Sequence, residues 1–151
     1  MARQIVIYTD GSGDYRSKCG GWGAVIKFRS KEVEISGSKS NTTTNRMEMM
    51  AAIKALKYIN RPTKVKLFTD SQYLQRGASQ YIYGWARQDW KAAKARDLKN
   101  LDLWRKLYKQ IRRHKIQWVW IPGHSGIQGN ERADRLAHAA YKERRLKETG
   151  K

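Results

Sequence analysis

A change of hydrophobic period near residue 45 constrains the fold of this chain more than any other feature. Before that point, three short segments have the composition of strands. Residues 5–9 are apolar on both faces, residues 22–28 (WGAVIKF) follow a Gly-Gly pair, and residues 32–36 (EVEIS) alternate polar and apolar side chains. Consecutive strands with short connections pair antiparallel. The first part of the chain therefore predicts an antiparallel meander.

After residue 45 the apolar residues recur with the period of a helix. They form one stripe between residues 45 and 59, consisting of Met49, Ala52, Ile53, Leu56 and Ile59. The Arg61-Pro62 pair marks the end of this helix. Helices and strands then alternate, with strands predicted at 64–70 and 116–121 and helices near 71–78, 80–86, 101–113 and 130–145. A meander followed by such alternation predicts an α/β fold with a mixed sheet covered by helices.

The length of the chain suits one domain. We place this domain at residues 1–145 of the 151 and a short basic tail at 146–151. No stretch approaches the ~20 apolar residues of a membrane span, and residues 1–20 lack the apolar core of a signal peptide. The single cysteine, Cys19, cannot form an internal disulfide. A reducing, cytoplasmic compartment is therefore expected.

The net charge of the chain points to a polyanionic partner. Thirty-two Lys and Arg residues against 13 Asp and Glu residues give a formal net charge of +19. A field of this sign concentrates polyanions at the protein surface. Much of the charge falls in residues 81–115, where aromatic side chains are interleaved with lysines and arginines. Nucleic acid is the expected partner, and an anionic membrane surface is the weaker alternative.

Acidic residues are few, so their positions are informative. Asp10 and Asp70 each lie at the end of a predicted strand. If these strands form a parallel pair, both carboxylates emerge at the edge where α/β sheets bind ligands. Glu48 and Asp134 lie in the first turns of predicted helices. Four converging carboxylates would repel one another unless they bind Mg²⁺, which prefers oxygen ligands.

Each of these residues also has a purely structural interpretation. Asp10 and Asp70 suit turns or helix caps, and Asn45 with Glu48 matches a capping box. Asp134 and His124 could be ordinary solvated residues. The sequence gives little support for a dinucleotide-binding site or a zinc site. The Gly11-x-Gly13 pattern lacks the third glycine of a dinucleotide fingerprint, and one cysteine with three scattered histidines does not make a zinc site.

Several motifs, taken together and in this order, resemble the type 1, bacterial-type ribonuclease H family. They are YTDGS with Asp10, TTTNRMEMMAAI with Glu48, FTDSQY with Asp70, and GHSGIQGNERADRLA with His124 and Asp134. The resemblance extends from about Ile5 to Ala140. It implies a central five-stranded mixed sheet with flanking helices and a basic helical protrusion.

The resemblance also implies an activity and its residues. The activity is sequence-nonspecific endonucleolytic hydrolysis of the RNA strand of RNA–DNA hybrids, leaving 5′-phosphate and 3′-hydroxyl ends. It uses two Mg²⁺ ions, with Mn²⁺ as an alternative ion. By motif, the metal-binding carboxylates would be Asp10, Glu48, Asp70 and Asp134. His124 would assist proton transfer or product release, and Gly11 would let a nucleic-acid backbone approach closely.

Substrate contacts follow from the same resemblance. Thr43, Asn100, Tyr81 and Trp85 would contact the DNA strand, and Asn45 and Gln72 the minor groove. Trp104 belongs instead to an apolar helix stripe. Three positions depart from the family pattern: Asn41 replaces an arginine, Thr44 an asparagine, and Arg16 an asparagine in the loop after Gly13. These departures affect the hybrid contacts rather than the carboxylates.

Two other functions remain open from sequence. One is a nucleic-acid binding module that has lost activity, and the other is a DNA-processing nuclease or strand-transfer domain with the same sheet. The complete acidic set argues against the first, and His124 with the basic aromatic segment argues against the second. A monomer without an obligate protein partner is expected.

Overall fold

A computed structural model describes residues 4–91 and 99–149 of the protein and confirms the mixed sheet. Within these residues the sheet has five strands in the order β3-β2-β1-β4-β5. They are β1 (Gln4–Gly13), β2 (Gly20–Lys27), β3 (Glu32–Lys39), β4 (Lys64–Thr69) and β5 (Lys115–Trp120). The first three pair antiparallel, and β4 and β5 join them in parallel.

The helices follow the predicted order with one difference. They are α1 (Thr44–Tyr58), α2 (Gln72–Arg76), α3 (Ile82–Arg87), α4 (Leu101–Arg113) and α5 (Gln128–Thr149). The helical segments predicted near 71–78 and 80–86 are present as α2 and α3, and a π-helical segment that we did not predict, Gly77–Tyr81, joins them. A side chain at Gly77 would collide with the ring of Trp104. The glycine therefore lets α4 pack directly against this helical turn.

The helices form two layers, one on each face of the sheet. The predicted stripe of α1 is buried against one face, and α4 packs beside α1. Helix α5 covers the other face, where its backbone approaches Gly21 and Gly23 of β2 so closely that a side chain at either position would collide with it. These glycines are therefore required by packing rather than by a turn.

The C-terminal helix continues past residue 145, where we placed the end of the domain. It runs to Thr149, and the carboxylate of Glu148 accepts hydrogen bonds from Ser40 and from the Cys19 thiol, the latter at 2.9 Å. The division at residue 145 therefore falls inside a helix, and a separate tail at 146–151 stays a prediction. Among the described helices, none is long and apolar enough to cross a membrane.

Candidate active site

We predicted Asp10 at the end of a strand, but it lies within β1. Strand β1 pairs with β4 only as far as Tyr8 and Phe68, but it continues to Gly13 by pairing with β2. Strand β4 ends at Thr69, and Asp70 follows it directly. One side of β1 is therefore open at Asp10, and the two carboxylates reach the same edge, as the parallel pairing predicts.

Glu48 reaches this edge because α1 packs tightly against β1. A Cβ atom at Gly11 would lie 2.5 Å from the Glu48 backbone nitrogen. The expectation that Gly11 makes room for nucleic acid is thus wrong, because α1 fills that space. The capping-box interpretation of Asn45 and Glu48 is also wrong. The N-cap is Thr43, whose hydroxyl oxygen accepts a hydrogen bond of 3.2 Å from the Arg46 backbone N–H.

Three carboxylates converge at this edge. Oxygen atoms of Asp10, Glu48 and Asp70 all lie within 4.8 Å of one another. Asp10 is 4% exposed and Glu48 is 6% exposed. Glu48 Oε1 is buried without a hydrogen-bond partner in the described part of the chain. A buried carboxylate oxygen without a partner is costly unless a cation compensates it.

Burial and mutual repulsion hold protons on this cluster. Burial, followed by the negative charge of Asp70, raises the pKa of Asp10 to about 9. Burial also raises the pKa of Glu48 well above its ordinary value, and the charges of Asp10 and Asp70 add to the effect. A divalent cation would remove both costs, since it supplies positive charge and binds oxygen ligands. The donor set therefore fits a divalent metal ion.

A second group, His124, Glu131 and Asp134, adjoins the first. Their ligand atoms also lie within 4.8 Å of one another. Asp134 shares a hydrogen bond with Asp10, which contributes to the raised pKa of Asp10. The four predicted carboxylates therefore meet, as expected from the motifs. His124 is exposed, and its backbone adopts a left-handed φ of 57°.

Glu131 is the residue that sequence reasoning missed. It lies three residues before Asp134 in the first turn of α5. Residues three apart on a helix share a face, so this spacing was the available signal. The loop before α5 also lies against the first group of carboxylates. A Cβ atom at Gly123 would lie 3.1 Å from Asp70 Oδ2.

The predicted substrate contacts occupy different environments. Thr43, Asn45 and Gln72 are exposed next to the carboxylate edge, at the starts of α1 and α2. Asn100 is half-buried and also makes contacts within the protein. Its amide nitrogen donates to the Tyr73 hydroxyl at 2.9 Å, and its oxygen accepts from Arg46 at 3.2 Å.

The aromatic side chains of the basic segment are partly outward and partly buried. Tyr81 is 53% exposed, whereas Trp104 is buried as predicted. Trp85 is half-buried between them, with its ring centroid 5.5 Å from that of Trp104 and 6.2 Å from that of Tyr81. Part of the basic segment 81–115, residues 92–98 with Lys94 and Arg96, lies outside the described residues.

The chain is similar to known proteins of one family. A family model described as RNase H matches residues 2–142. The chain is 45% identical to a ribonuclease H of Rhodopseudomonas palustris (strain HaA2), over 96% of this chain and 90% of that protein. It is 48% identical to a ribonuclease H of Caulobacter sp. (strain K31), over 91% and 89% of the two chains.

A solved structure also resembles the fold. The crystal structure of LC9-RNase H1, a type 1 RNase H with the type 2 active-site motif, superposes with a TM-score of 0.82. The sequences are 28% identical, and the match covers 95% of this chain and 74% of that one.

Proposed function

The chain belongs to the ribonuclease H family, and on this premise we propose that it is an endoribonuclease acting on RNA–DNA hybrids. It hydrolyses the RNA strand without sequence specificity and leaves 5′-phosphate and 3′-hydroxyl ends. The observation that carries the proposal is the convergence of Asp10, Glu48 and Asp70 at one sheet edge. A cytoplasmic monomer remains our expectation.

The carboxylates would hold two divalent ions, Mg²⁺ or, as an alternative, Mn²⁺. Asp10, Glu48, Asp70 and Asp134 are the proposed ligands, and the unpartnered Glu48 Oε1 supports this assignment. When bound, a pair of such ions supplies Lewis acidity and positive charge at the attacking and leaving oxygens of a phosphodiester. Oxygen ligands of this kind suit Mg²⁺.

The residues around the carboxylates keep them in place. Asp10 accepts a hydrogen bond of 2.9 Å from the Gly11 backbone N–H, and paired strands on a rigid sheet limit its movement. Glu48 is fixed by the contact of α1 with Gly11. Preorganised charges of this kind need little rearrangement during reaction.

Proton movement is assigned to the second group. His124 lies on an exposed loop whose Gly123 adjoins Asp70. An imidazole can act as general base and general acid in proton transfer. Glu131 and Asp134 would orient it, because their carboxylate oxygens lie within 4.8 Å of its ring nitrogen.

Recognition of the hybrid would use the surface around the carboxylate edge. Asn45 and Gln72 are exposed where they could contact the minor groove, and Thr43 and Asn100 lie beside them for a DNA phosphate. Tyr81, with Trp85 of α3 behind it, would contact the DNA strand. Phosphate contacts carry no sequence information, which agrees with nonspecific cleavage.

A substrate comparison tests the proposal. Labelled RNA annealed to DNA, an RNA–RNA duplex and a DNA–DNA duplex are incubated separately with the protein, in Mg²⁺ or in EDTA. We expect cutting of the RNA in the hybrid only, in Mg²⁺ only. Tight binding of the hybrid without cutting would support a binding module, and cutting of DNA–DNA duplex would support a DNA nuclease.

A further inference from the structure

The surface of the α1–α4 layer carries a basic groove that the proposed activity does not use. The groove has a volume of about 640 Å³. Its lining includes six cations, and no carboxylate lines it among the described residues. The cations are Lys39, Lys54, Lys57, Lys106, Lys109 and Arg113. A cavity with this lining attracts anions specifically.

The groove is separate from the carboxylate edge. Lys57 follows Glu48 by nine residues in α1, which places it about two and a half turns further along and on the opposite face of the helix. Lys106 and Lys109 belong to α4, which packs beside α1 and is not part of either carboxylate group. An anion in the groove would therefore not occupy the reaction site.

The two walls of the groove are held together at both ends. Near the start of the helices, Arg46 of α1 forms an ion pair of 2.7 Å with Asp102 of α4. Near their ends, the Arg113 guanidinium donates a hydrogen bond of 3.0 Å to the Ile59 carbonyl oxygen. The helices thus run side by side in the same direction. The groove is formed before any ligand binds, which lowers the cost of binding.

The lysines of the two walls repel one another in the free protein. Lys54 and Lys57 lie on α1, and Lys106 and Lys109 lie on α4, each pair three residues apart and exposed. Residues with this spacing are neighbours on a helix surface. None of these four lysines forms an ion pair within residues 4–91 and 99–149. A chain of negative charges between the walls would relieve the repulsion.

We propose that this groove binds a single strand of nucleic acid through its phosphates. Side chains fill the space between packed helices, so the groove is a shallow channel over the contact of α1 with α4. Its volume of about 640 Å³ favours one strand over a duplex. Half-buried Met50, with the exposed edges of the buried Trp22 and Ile53, contributes a small apolar floor that sugars and bases can contact. A cationic groove with apolar contacts is the usual construction of a site for single strands.

Two variants of the full chain test this assignment. The groove variant carries Lys→Gln at residues 54, 57, 106 and 109, and the control variant carries Lys→Gln at residues 31, 64, 115 and 142. All eight lysines are exposed, and each variant loses the same charge. Binding of a labelled oligothymidylate, roughly 10–12 nucleotides long, is measured in EDTA with saturating unlabelled RNA–DNA hybrid to occupy the other surface.

We expect the groove variant to bind the oligonucleotide about tenfold or more weakly than the control variant. The slope of log affinity against log salt should also fall, by up to about 2.8 if four contacts with a single strand are lost. Ultraviolet crosslinks of the bound oligonucleotide in the unmodified protein should map to α1 and α4. Equal losses in both variants, or crosslinks confined to the carboxylate edge, would overturn the proposal.

Two further measurements separate this proposal from its alternatives. A poly-glutamate peptide is titrated in the same assay, and binding of the peptide in place of the oligonucleotide would make the groove a site for acidic polypeptides and overturn the assignment. Hybrid cleavage in Mg²⁺ should be unchanged in both variants. If the unmodified protein binds the oligonucleotide in the groove but does not cleave hybrid, the proposed function fails and the groove assignment stands.

Discussion

Two buried polar clusters lie at opposite ends of the parallel strands, and they differ in how well their polar atoms are satisfied. At the carboxyl end, Glu48 Oε1 is buried without a hydrogen-bond partner in the described residues. At the amino end, both ring nitrogens of the buried His114 have partners. Its Nδ1 accepts from the Thr63 backbone N–H at 3.2 Å, and its Nε2 lies 3.3 Å from the Leu56 carbonyl oxygen.

The difference distinguishes a structural cluster from a candidate functional one. His114 ends α4 and ties the chain before β4 to the end of α1, so its hydrogen bonds stabilise the junction of three elements. The carboxylates Asp10, Glu48 and Asp70 instead repel one another. Burying one unpaired charge costs roughly several kcal/mol. A protein keeps an unfavourable cluster of this kind where a ligand compensates that cost.

The two clusters also have opposite pH dependence. The pKa of Asp10 is raised, so the folded state holds a proton that the unfolded state loses, and this contribution to stability is lost as pH rises toward about 9. Burial lowers the pKa of His114 below its ordinary value. Its contribution is therefore complete above about 6.5, the unfolded value, and is lost as pH falls.

The largest expected effect comes from neutralising the carboxylate cluster. Asp10→Asn and Asp70→Asn should bind hybrid but lower kcat on the order of 10³-fold, which corresponds to about 4 kcal/mol of lost transition-state stabilisation. Single-turnover cleavage and equilibrium binding of labelled hybrid measure the two quantities. Substantial cleavage by either variant would refute the metal assignment.

Loss of the His114 side chain should lower stability and leave activity unchanged. His114→Ala should lower the free energy of unfolding by about 1–3 kcal/mol, because buried groups lose hydrogen-bond partners. Urea denaturation measures this loss, and activity per folded molecule should stay unchanged. A fall in kcat under conditions where all molecules of the variant are folded would contradict this expectation. It would show that His114 affects the carboxylate edge at the other end of the sheet.

Metal removal should affect the pH dependence of stability at the carboxylate cluster but not at His114, and we expect this effect to be intermediate in size. In EDTA we expect the melting temperature to fall as pH rises from about 6 to 9, because the folded state keeps a proton on Asp10 that the unfolded state has lost. Saturating Mg²⁺ should reverse much of this fall, and Asp10→Asn should weaken the pH dependence. His114→Ala serves as the control, since it should leave the alkaline fall intact. An alkaline melting temperature independent of both Mg²⁺ and Asp10 would contradict this account.

The smallest effect is expected from an exposed charge network on α5. Arg132 forms ion pairs of 2.6 Å with Glu32 and 2.8 Å with Glu34. Because solvent screens such pairs, Arg132→Gln should cost less than about 1 kcal/mol. Chemical denaturation measures the cost, and the pH dependence described above should not change. A larger loss in the free energy of unfolding would contradict this expectation, because it would show that solvent does not weaken these ion pairs.

Local patterns predicted most of the elements but not all their boundaries. The α4 helix begins at Leu101 and ends at Arg113, as its apolar stripe indicates. Asp10 was misplaced at a strand end because β1 continues by pairing with β2, a partner that the local sequence does not specify. The π-helical junction of α2 and α3 was not predicted, because Gly77 faces Trp104, a residue far along the chain.

The candidate site shows the same division. Motifs identified Asp10, Glu48, Asp70 and Asp134, and the structure brings them together. Glu131 was overlooked, although its helical spacing from Asp134 was visible in the sequence. The role of Gly11 depended on α1 lying across β1, which only the packed structure reveals.

The sequence by itself determined the class of fold, the identities of the carboxylates and the excess of positive charge. The fold class follows from the periods of strands and helices, the charge from composition, and the carboxylates from motifs that resemble the family, all of which are read from local sequence. The tertiary structure decided which faces meet. It buried Glu48 against Asp10, satisfied His114 through Thr63 and Leu56, and placed the lysines of α1 opposite those of α4. Such contacts depend on packing between distant segments, because no short window of sequence contains both partners.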